Sequence, residues 1–260
     1  FALGWKGMLD GQFVHLYVYL FALSFGLIGF VDDYRKVRQH QNEGLTAKQK
    51  FLLQLAAAVV FLCLMRYEGL LSNQLYVPFL NVSLEVNWIL YLVFAAFVIV
   101  GCVNAVNLTD GIDGLACSVT FVVMVFFAVT GCLWSAGGAQ ALFPAAMAGG
   151  LAAFFVYNHH PAKVFMGDTG SLFLGGAVAA LAFSMDMPLI LIPVGIIYIL
   201  ETLSDIIQVG YFKATHGKRS FVVLISAVLW KTPLTGRKLA ALGISLVGCV
   251  LAYFGAAGRY

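Results

Sequence analysis

Apolar residues run along this chain in long blocks separated by short polar breaks. The blocks fall at roughly 13–31, 51–66, 88–107, 115–134, 141–157, 170–185, 188–211 and 239–257. Each is close to the length that the hydrocarbon core of a bilayer demands of a helix. Continuous apolar runs of this kind spell helices, whereas barrel strands alternate apolar and polar residues. A ninth run, 221–229, is too short to cross. The pattern therefore predicts an all-α polytopic membrane protein with at least eight transmembrane helices in a single domain over 1–260. Between 67 and 87 the text changes: Tyr76 to Phe79 and Val82 to Val86 alternate weakly around Asn81, which predicts a short hairpin.

Composition agrees. The chain has 260 residues, 62% of them hydrophobic and 10% charged, with a mean hydropathy of +0.93. Soluble domains carry about 25% charged residues. A net charge of +3 gives no support for a nucleic-acid partner, so the partner that composition specifies is the lipid bilayer. The five cysteines (Cys63, Cys102, Cys117, Cys132 and Cys249) are scattered through apolar segments without ligand spacing and read as small core residues. The sequence starts at Phe1 without an initiating Met or a legible signal peptide, which reads as a fragment.

Charge also orients the helices. Twelve of the fifteen Lys and Arg residues fall in loops of one side: Arg35, Lys36, Arg38, Lys48, Lys50, Lys163, Lys213, Lys218, Arg219, Lys231, Arg237 and Lys238. Basic loops stay in the cytoplasm, so that side is expected to be cytoplasmic. The polar residues with chemistry in them lie on the same side. Asn104, Asn107, Asp110 and Asp113 recur every three residues at the end of one apolar block, a row that drifts slowly around a helix. Gly111 and Gly114 let the backbone break there. Hard oxygens gathered in this way suit a divalent cation such as Mg²⁺. Asp32 and Asp33 end the first block beside a basic cluster, and adjacent carboxylates either raise one pKa or recruit a cation. Thr46 is a natural N-cap for the second block. Behind it Lys48 and Lys50 read either as snorkelling anchors or as phosphate-facing cations. Asp168, between Gly167 and Gly170, reads as a helix N-cap or as a metal ligand. His159 and His160 before Pro161 read either as metal ligands or, the preferred reading, as surface or packing residues. Glu201 and Asp205 are four apart, share a helix face and are expected to look into the protein.

Three stretches carry a resemblance. N-x-x-N-x-x-D-G-x-D-G-L, F-M-G-D-T-G-S and F-V-D-D-Y-x-K-V together are similar to the signatures of the polyprenyl-phosphate N-acetylhexosamine-1-phosphate transferases. The resemblance covers most of residues 15–220. It implies a fold of ten helices with one broken helix, here E-T-L-S-x-I-x-Q-V-G-Y-F-K, and an active site on the cytoplasmic side of the bacterial inner membrane. It further implies an Mg²⁺-dependent transferase with Asp168 on the metal, and with Asp32 and Asp33 by the lipid phosphate. Lys50 would offset phosphate charge, a place it fits better than Lys48. Asp110, Asp113, Asn104 and Asn107 would bind nucleotide or shape the metal site, with Asn158 near the nucleotide.

V-N-L-T-D-G-I-D-G-L-A and Q-V-G-Y-F-K favour the muramyl branch of that family. The implied reaction is transfer of phospho-MurNAc-pentapeptide from UDP-MurNAc-pentapeptide to undecaprenyl phosphate, giving lipid I and UMP in peptidoglycan synthesis. A sibling reaction on UDP-GlcNAc is the alternative. A cation transporter is the rival from another class, but transporters hold their polar residues near the midplane and most of these gather at one surface. A homodimer is allowed and not specified. The chain departs from the family pattern in three places. Two leading helices and a histidine-bearing loop near 220/221 are expected to be missing, and Asp205 stands where a hydrophobic residue is expected.

Overall fold

The computed structural model describes residues 14–41, 43–134, 139–215 and 234–256. Its helices are α1 (Val14–Gln39), α2 (Ala47–Tyr67), α3 (Trp88–Thr109), α4 (Leu115–Trp134), α5 (Leu142–Asn158), α6 (Gly167–Ser184), a short α7 (Leu191–Val194), α8 (Ile196–Ala214) and α9 (Leu234–Ala256). Within the described residues each of the eight long apolar blocks forms helix, the one at 188–211 in separate pieces. The ninth run, 221–229, lies outside the described residues. Among those residues four helices are long and apolar enough to cross a membrane, Leu16–Gln39, Ala47–Tyr67, Trp88–Thr109 and Leu115–Trp134, or five with the bent 188–214 pair. That falls short of the expected eight for physical reasons. Leu142–Asn158 has only 17 residues, and α6 spends its first turn on Gly167-Asp168-Thr169-Gly170-Ser171.

Those polar residues matter because α6 is the centre of the molecule. It packs most extensively on α1 and then on α3, and from Leu174 to Ser184 every side chain is buried. Its small residues, Gly175, Gly176, Ala177, Ala179, Ala180 and Ala182, let neighbouring backbones come close, which is how helices associate where water cannot drive them together. Around it α4 packs on α5 and α9, and α2 on α3 and α1.

The block at 188–211 is not a straight span. Pro188–Val194 and Ile196–Ala214 meet at a bend of 77°. Pro193 lacks the N–H that a continuous helix needs, and the chain turns at Gly195, whose N–H still donates to Leu191 O at 2.8 Å. The expected hairpin forms: β1 (Gln74–Val77) pairs antiparallel with β2 (Val82–Glu85), in register Gln74↔Glu85 to Val77↔Val82. It is the one departure from an all-α architecture among the described residues. It sits at the end of the helices away from Asp168, where Phe79 N donates to Gly255 O of α9 at 2.9 Å. The end of α1 and the start of α2 lie at the opposite end, together with the end of α3 and the start of α6.

Candidate active site

α1 does not stop where its apolar run stops. It continues to Gln39, so Asp32, Asp33 and Lys36 stand on one helix rather than beyond its end. Lys36 is then one turn from both acids, with Nζ at 2.6 Å from Asp32 Oδ2 and 3.6 Å from Asp33 Oδ1. The sequence reading passed over this lysine. Its spacing of three and four from the acid pair is the signal that would have found it.

Asp32 is 1% exposed. Its Oδ1 accepts from Leu45 N at 2.7 Å, which ties the 43–46 connection to α1. That connection ends in a capping box: Thr46 Oγ1 accepts from Gln49 N at 3.3 Å, and Gln49 Oε1 accepts from Thr46 N at 3.1 Å. The cap that Thr46 was expected to supply therefore starts α2 at Ala47 and aims Lys50 inward. Lys50 Nζ lies 2.8 Å from Asp168 Oδ2 and 3.4 Å from Asp32 Oδ2.

Asp168 arrives from α6. It occupies the first turn of that helix and is not its cap; Met166 holds the cap position without a side-chain bond. An acid in this turn is favoured by the helix dipole. Gly167, at φ 62, makes the turn before it in a conformation that side chains resist. Asp33 fixes the same turn by accepting from Thr169 N at 2.9 Å and Thr169 Oγ1 at 2.7 Å. Lys36 Nζ completes the set at 2.8 Å from Asp168 Oδ2.

Carboxylate oxygens of Asp32, Asp33 and Asp168 thus lie within 4.8 Å of one another. Three hard oxygens, one set almost dry, are a donor set that fits a small divalent cation, and this cluster could hold a metal. The two lysines balance most of its charge. Burial pushes the Asp168 carboxyl up, but hydrogen bonds with Asp32, Lys36 and Lys50 override it and hold the group well below the usual carboxylate range. Beside the cluster an open cavity of about 450 Å³ is lined by Asp32, Lys36, Glu43, Gly44, Leu45, Thr46, Ala47 and Lys50.

The row expected at 104–113 divides, because α3 ends at Thr109. Its members do not share one helix face. Asp110 caps the helix end, where burial and the charge of Asp168 raise its pKa to about 7. It is thus electrostatically part of the cluster. Asn107 Oδ1 accepts from Ser171 Oγ of α6 at 3.2 Å. Asn104 points instead to α2, where its Nδ2 donates to Gln54 Oε1 at 2.7 Å. Asp113, in the turn after α3, binds the 159–166 loop: its Oδ2 lies 2.9 Å from His160 Nδ1 and accepts from Ala162 N at 3.0 Å. His160, read from sequence as surface or packing, is thus paired with a candidate site residue. Asn158 is buried and donates through Nδ2 to Val164 O at 2.9 Å, holding the same loop. Lys48 is exposed and joins none of these ion pairs.

The geometry brings together Asp32, Asp33, Lys50 and Asp168, with Asp110 beside them. Lys48, Asn104, Asp113 and Asn158 engage other partners or none of this cluster. Glu201 and Asp205 are half-buried on α8.

Known proteins share this arrangement of sequence. A phospho-N-acetylmuramoyl-pentapeptide-transferase of Clostridium acetobutylicum is 46% identical over 215 residues, covering 82% of this chain and 65% of that protein. One from Listeria monocytogenes is 44% identical over 197 residues, with 76% and 60% covered. Another, from Oceanobacillus iheyensis, is 43% identical over 213 residues, with 82% and 64% covered. The chain spans about 60–65% of the length of these curated relatives. Residues 15–186, which supply every member of the acid and lysine cluster, match the profile of glycosyl transferase family 4, and to that family this chain belongs.

Proposed function

We propose that the protein transfers phospho-MurNAc-pentapeptide from UDP-MurNAc-pentapeptide to undecaprenyl phosphate, releasing UMP and leaving lipid I. One observation carries the reading. Three acids and two lysines from three separate helices meet at one end of a bundle of apolar helices, beside an open cavity. A cavity of this charge suits phosphates, and a site at the end of membrane helices suits an acceptor that lives in the bilayer. The names of the relatives support the donor.

In this reading a phosphate oxygen of the prenyl phosphate attacks the β-phosphorus of the nucleotide. The bond from that phosphorus to the bridging oxygen breaks, and UMP leaves with the bond's electrons. Lys50 and Lys36 neutralise the phosphates as they approach, an electrostatic contribution that grows in a site of low dielectric. Asp32 and Asp33 keep the lysines in place, and one of them takes the proton if the prenyl phosphate arrives as its monoanion. Asp110 and Asn107 border the nucleotide, and Asp113 and Asn158 shape the loop at its edge. Asp168, with Asp33 and Asp32 beside it, would hold Mg²⁺; when bound, the ion supplies charge neutralisation and alignment of the diphosphate. The excess of lysine and arginine on this side supports a cytoplasmic site, with the eight apolar helices as the spans of a multi-pass inner-membrane protein.

The test is direct. Purified protein in detergent is given undecaprenyl phosphate, Mg²⁺ and either UDP-MurNAc-pentapeptide or UDP-GlcNAc, and UMP and the lipid-linked product are measured. The reading requires UMP release only with the muramyl donor and the lipid together, and its loss in Asp168→Asn. Turnover of UDP-GlcNAc alone, or full activity of Asp168→Asn, would overturn it.

A further inference from the structure

Gln54 is the residue of α2 that the proposed chemistry leaves unused. It is 1% exposed in the middle of an apolar helix and lies one turn after Lys50, on the same face. Its Oε1 accepts from Asn104 Nδ2 at 2.7 Å, and the same Nδ2 donates to Val100 O at 2.8 Å, which fixes the Asn104 amide. Gln54 Nε2 is buried without a hydrogen-bond partner. A lone buried donor costs free energy, so an apolar side chain would pack here more cheaply. What the amide provides is direction: a buried polar pair selects one register between two helices.

Past its capping box, the site end of α2 is thinly packed. A smaller share of its apolar residues is buried than on α1, α3 or α4. Its buried residues are Gln54, Ala58, Phe61, Leu62 and Met65, so between Ala47 and Leu53 none is buried. Gln54 is therefore the buried anchor nearest the site. A slip of one residue would move Lys50 along the axis by about 1.5 Å and around it by about 100°, taking Nζ off Asp32 and Asp168.

We infer that Gln54 is a positioning residue: its bond to Asn104 sets α2 on α3 and so holds Lys50 against the acid cluster. The inference rests on the reading of that cluster as a phosphoryl-transfer site. Its first test is a double-mutant cycle on kcat. Gln54→Met keeps length and flexibility but removes the acceptor, and a displaced cation should lower kcat about tenfold or more. In a Lys50→Met background the same substitution should cost nothing further. Gln54→Glu, which keeps an oxygen facing Asn104, should recover most of the loss. Equal fold-losses in both backgrounds, or a lowered melting temperature with kcat unchanged, would overturn the inference. A second arm needs no turnover. In Lys50→Cys protein, the rate at which a small charged methanethiosulfonate modifies position 50, read by mass spectrometry, should rise when Gln54→Met is added. An unchanged rate overturns the positioning role even where transfer fails for other reasons.

Discussion

Gly29 and Asp168 belong to different helices, yet their backbones touch: a Cβ placed on Gly29 would overlap the Asp168 carbonyl. This contact sets the first turn of α6 against α1, one helical turn from Asp33. Gly29→Ala must therefore push α6 away or fail to pack. Overpacking of this kind costs about 1–3 kcal/mol. The expected result is a lowered melting temperature together with loss of transfer activity. A Gly29→Ala protein that melted and turned over like the parent would show that this approach is not needed.

Lys36 touches Asp32, Asp33 and Asp168 at once. Removing its charge leaves Asp32, which is buried, with Lys50 alone at 3.4 Å. Lys36→Met is expected to lower kcat at least about a hundredfold, the usual effect of deleting one preorganised charge in such a site. Lys36→Arg should not restore it, since a planar guanidinium cannot take the place of a compact ammonium among three carboxylates. Steady-state UMP release at saturating substrates checks both.

The contrast between these residues explains what the sequence could and could not say. Asp32, Asp33 and Asp168 were legible because charges at the ends of apolar runs demand a reason, and Lys50 was preferred to Lys48 on its place in the motif. Lys36 and Gln54 were not. Lys36 stands in the F-V-D-D-Y-x-K-V stretch, but the apolar pattern stops at Val31 while the helix goes on to Gln39, so the pattern alone does not place Lys36 one turn from the acids. Gln54 stood inside a run whose periodicity gave no face, and only packing shows that it is buried. The row from Asn104 to Asp113 misled in the opposite direction. Its spacing described a helix, but the chain leaves α3 at Thr109, and each member turns to a different neighbour. The bend falls at Gly195, just after Pro193 and ahead of the E-T-L-S-x-I-x-Q-V-G-Y-F-K stretch on which the broken helix was expected.

Asp110 gives a pH dependence with a definite sign. Its folded pKa is raised from the ordinary 3.8 to about 7 by burial and by the charge of Asp168. Between those values the folded protein holds a proton that the unfolded chain releases. Stability therefore falls as pH rises from about 4 to about 7 and is level in this respect above. In metal-free buffer the melting temperature of the parent should drop between about pH 4 and about pH 7 more steeply than that of Asp110→Asn. Parallel curves would remove Asp110 as the cause.

Metal binding should be visible in stability as well as in rate. A cation that binds the folded cluster and not the unfolded chain stabilises it by about 2.7 kcal/mol at a hundred times its Kd. Mg²⁺ is expected to raise the melting temperature of the parent, and EDTA to reverse the rise. Asp168→Asn and Asp33→Asn should each abolish the shift, while Lys48→Met, on an exposed residue outside the ion pairs, should keep it. A shift that survived both acid substitutions would place the ion elsewhere.

One oxygen of Asp113, Oδ2, holds both His160 Nδ1 and Ala162 N. These bonds secure the loop that joins Asn158 to the turn of Asp168. Asp113→Ala removes both at about 1 kcal/mol each, whereas His160→Ala removes only one and leaves the backbone contact. The order of effect follows: hydrogen exchange of residues 159–166 should quicken strongly in Asp113→Ala and weakly in His160→Ala. Because Asp168 opens the helix that follows, its carboxylate loses its aim in the first variant, and kcat should fall with it. Loosening that was equal in the two variants would mean that the imidazole, not the amide of Ala162, carries the attachment. A rigid loop in Asp113→Ala would assign its restraint to Asn158, which holds Val164 O from the buried side.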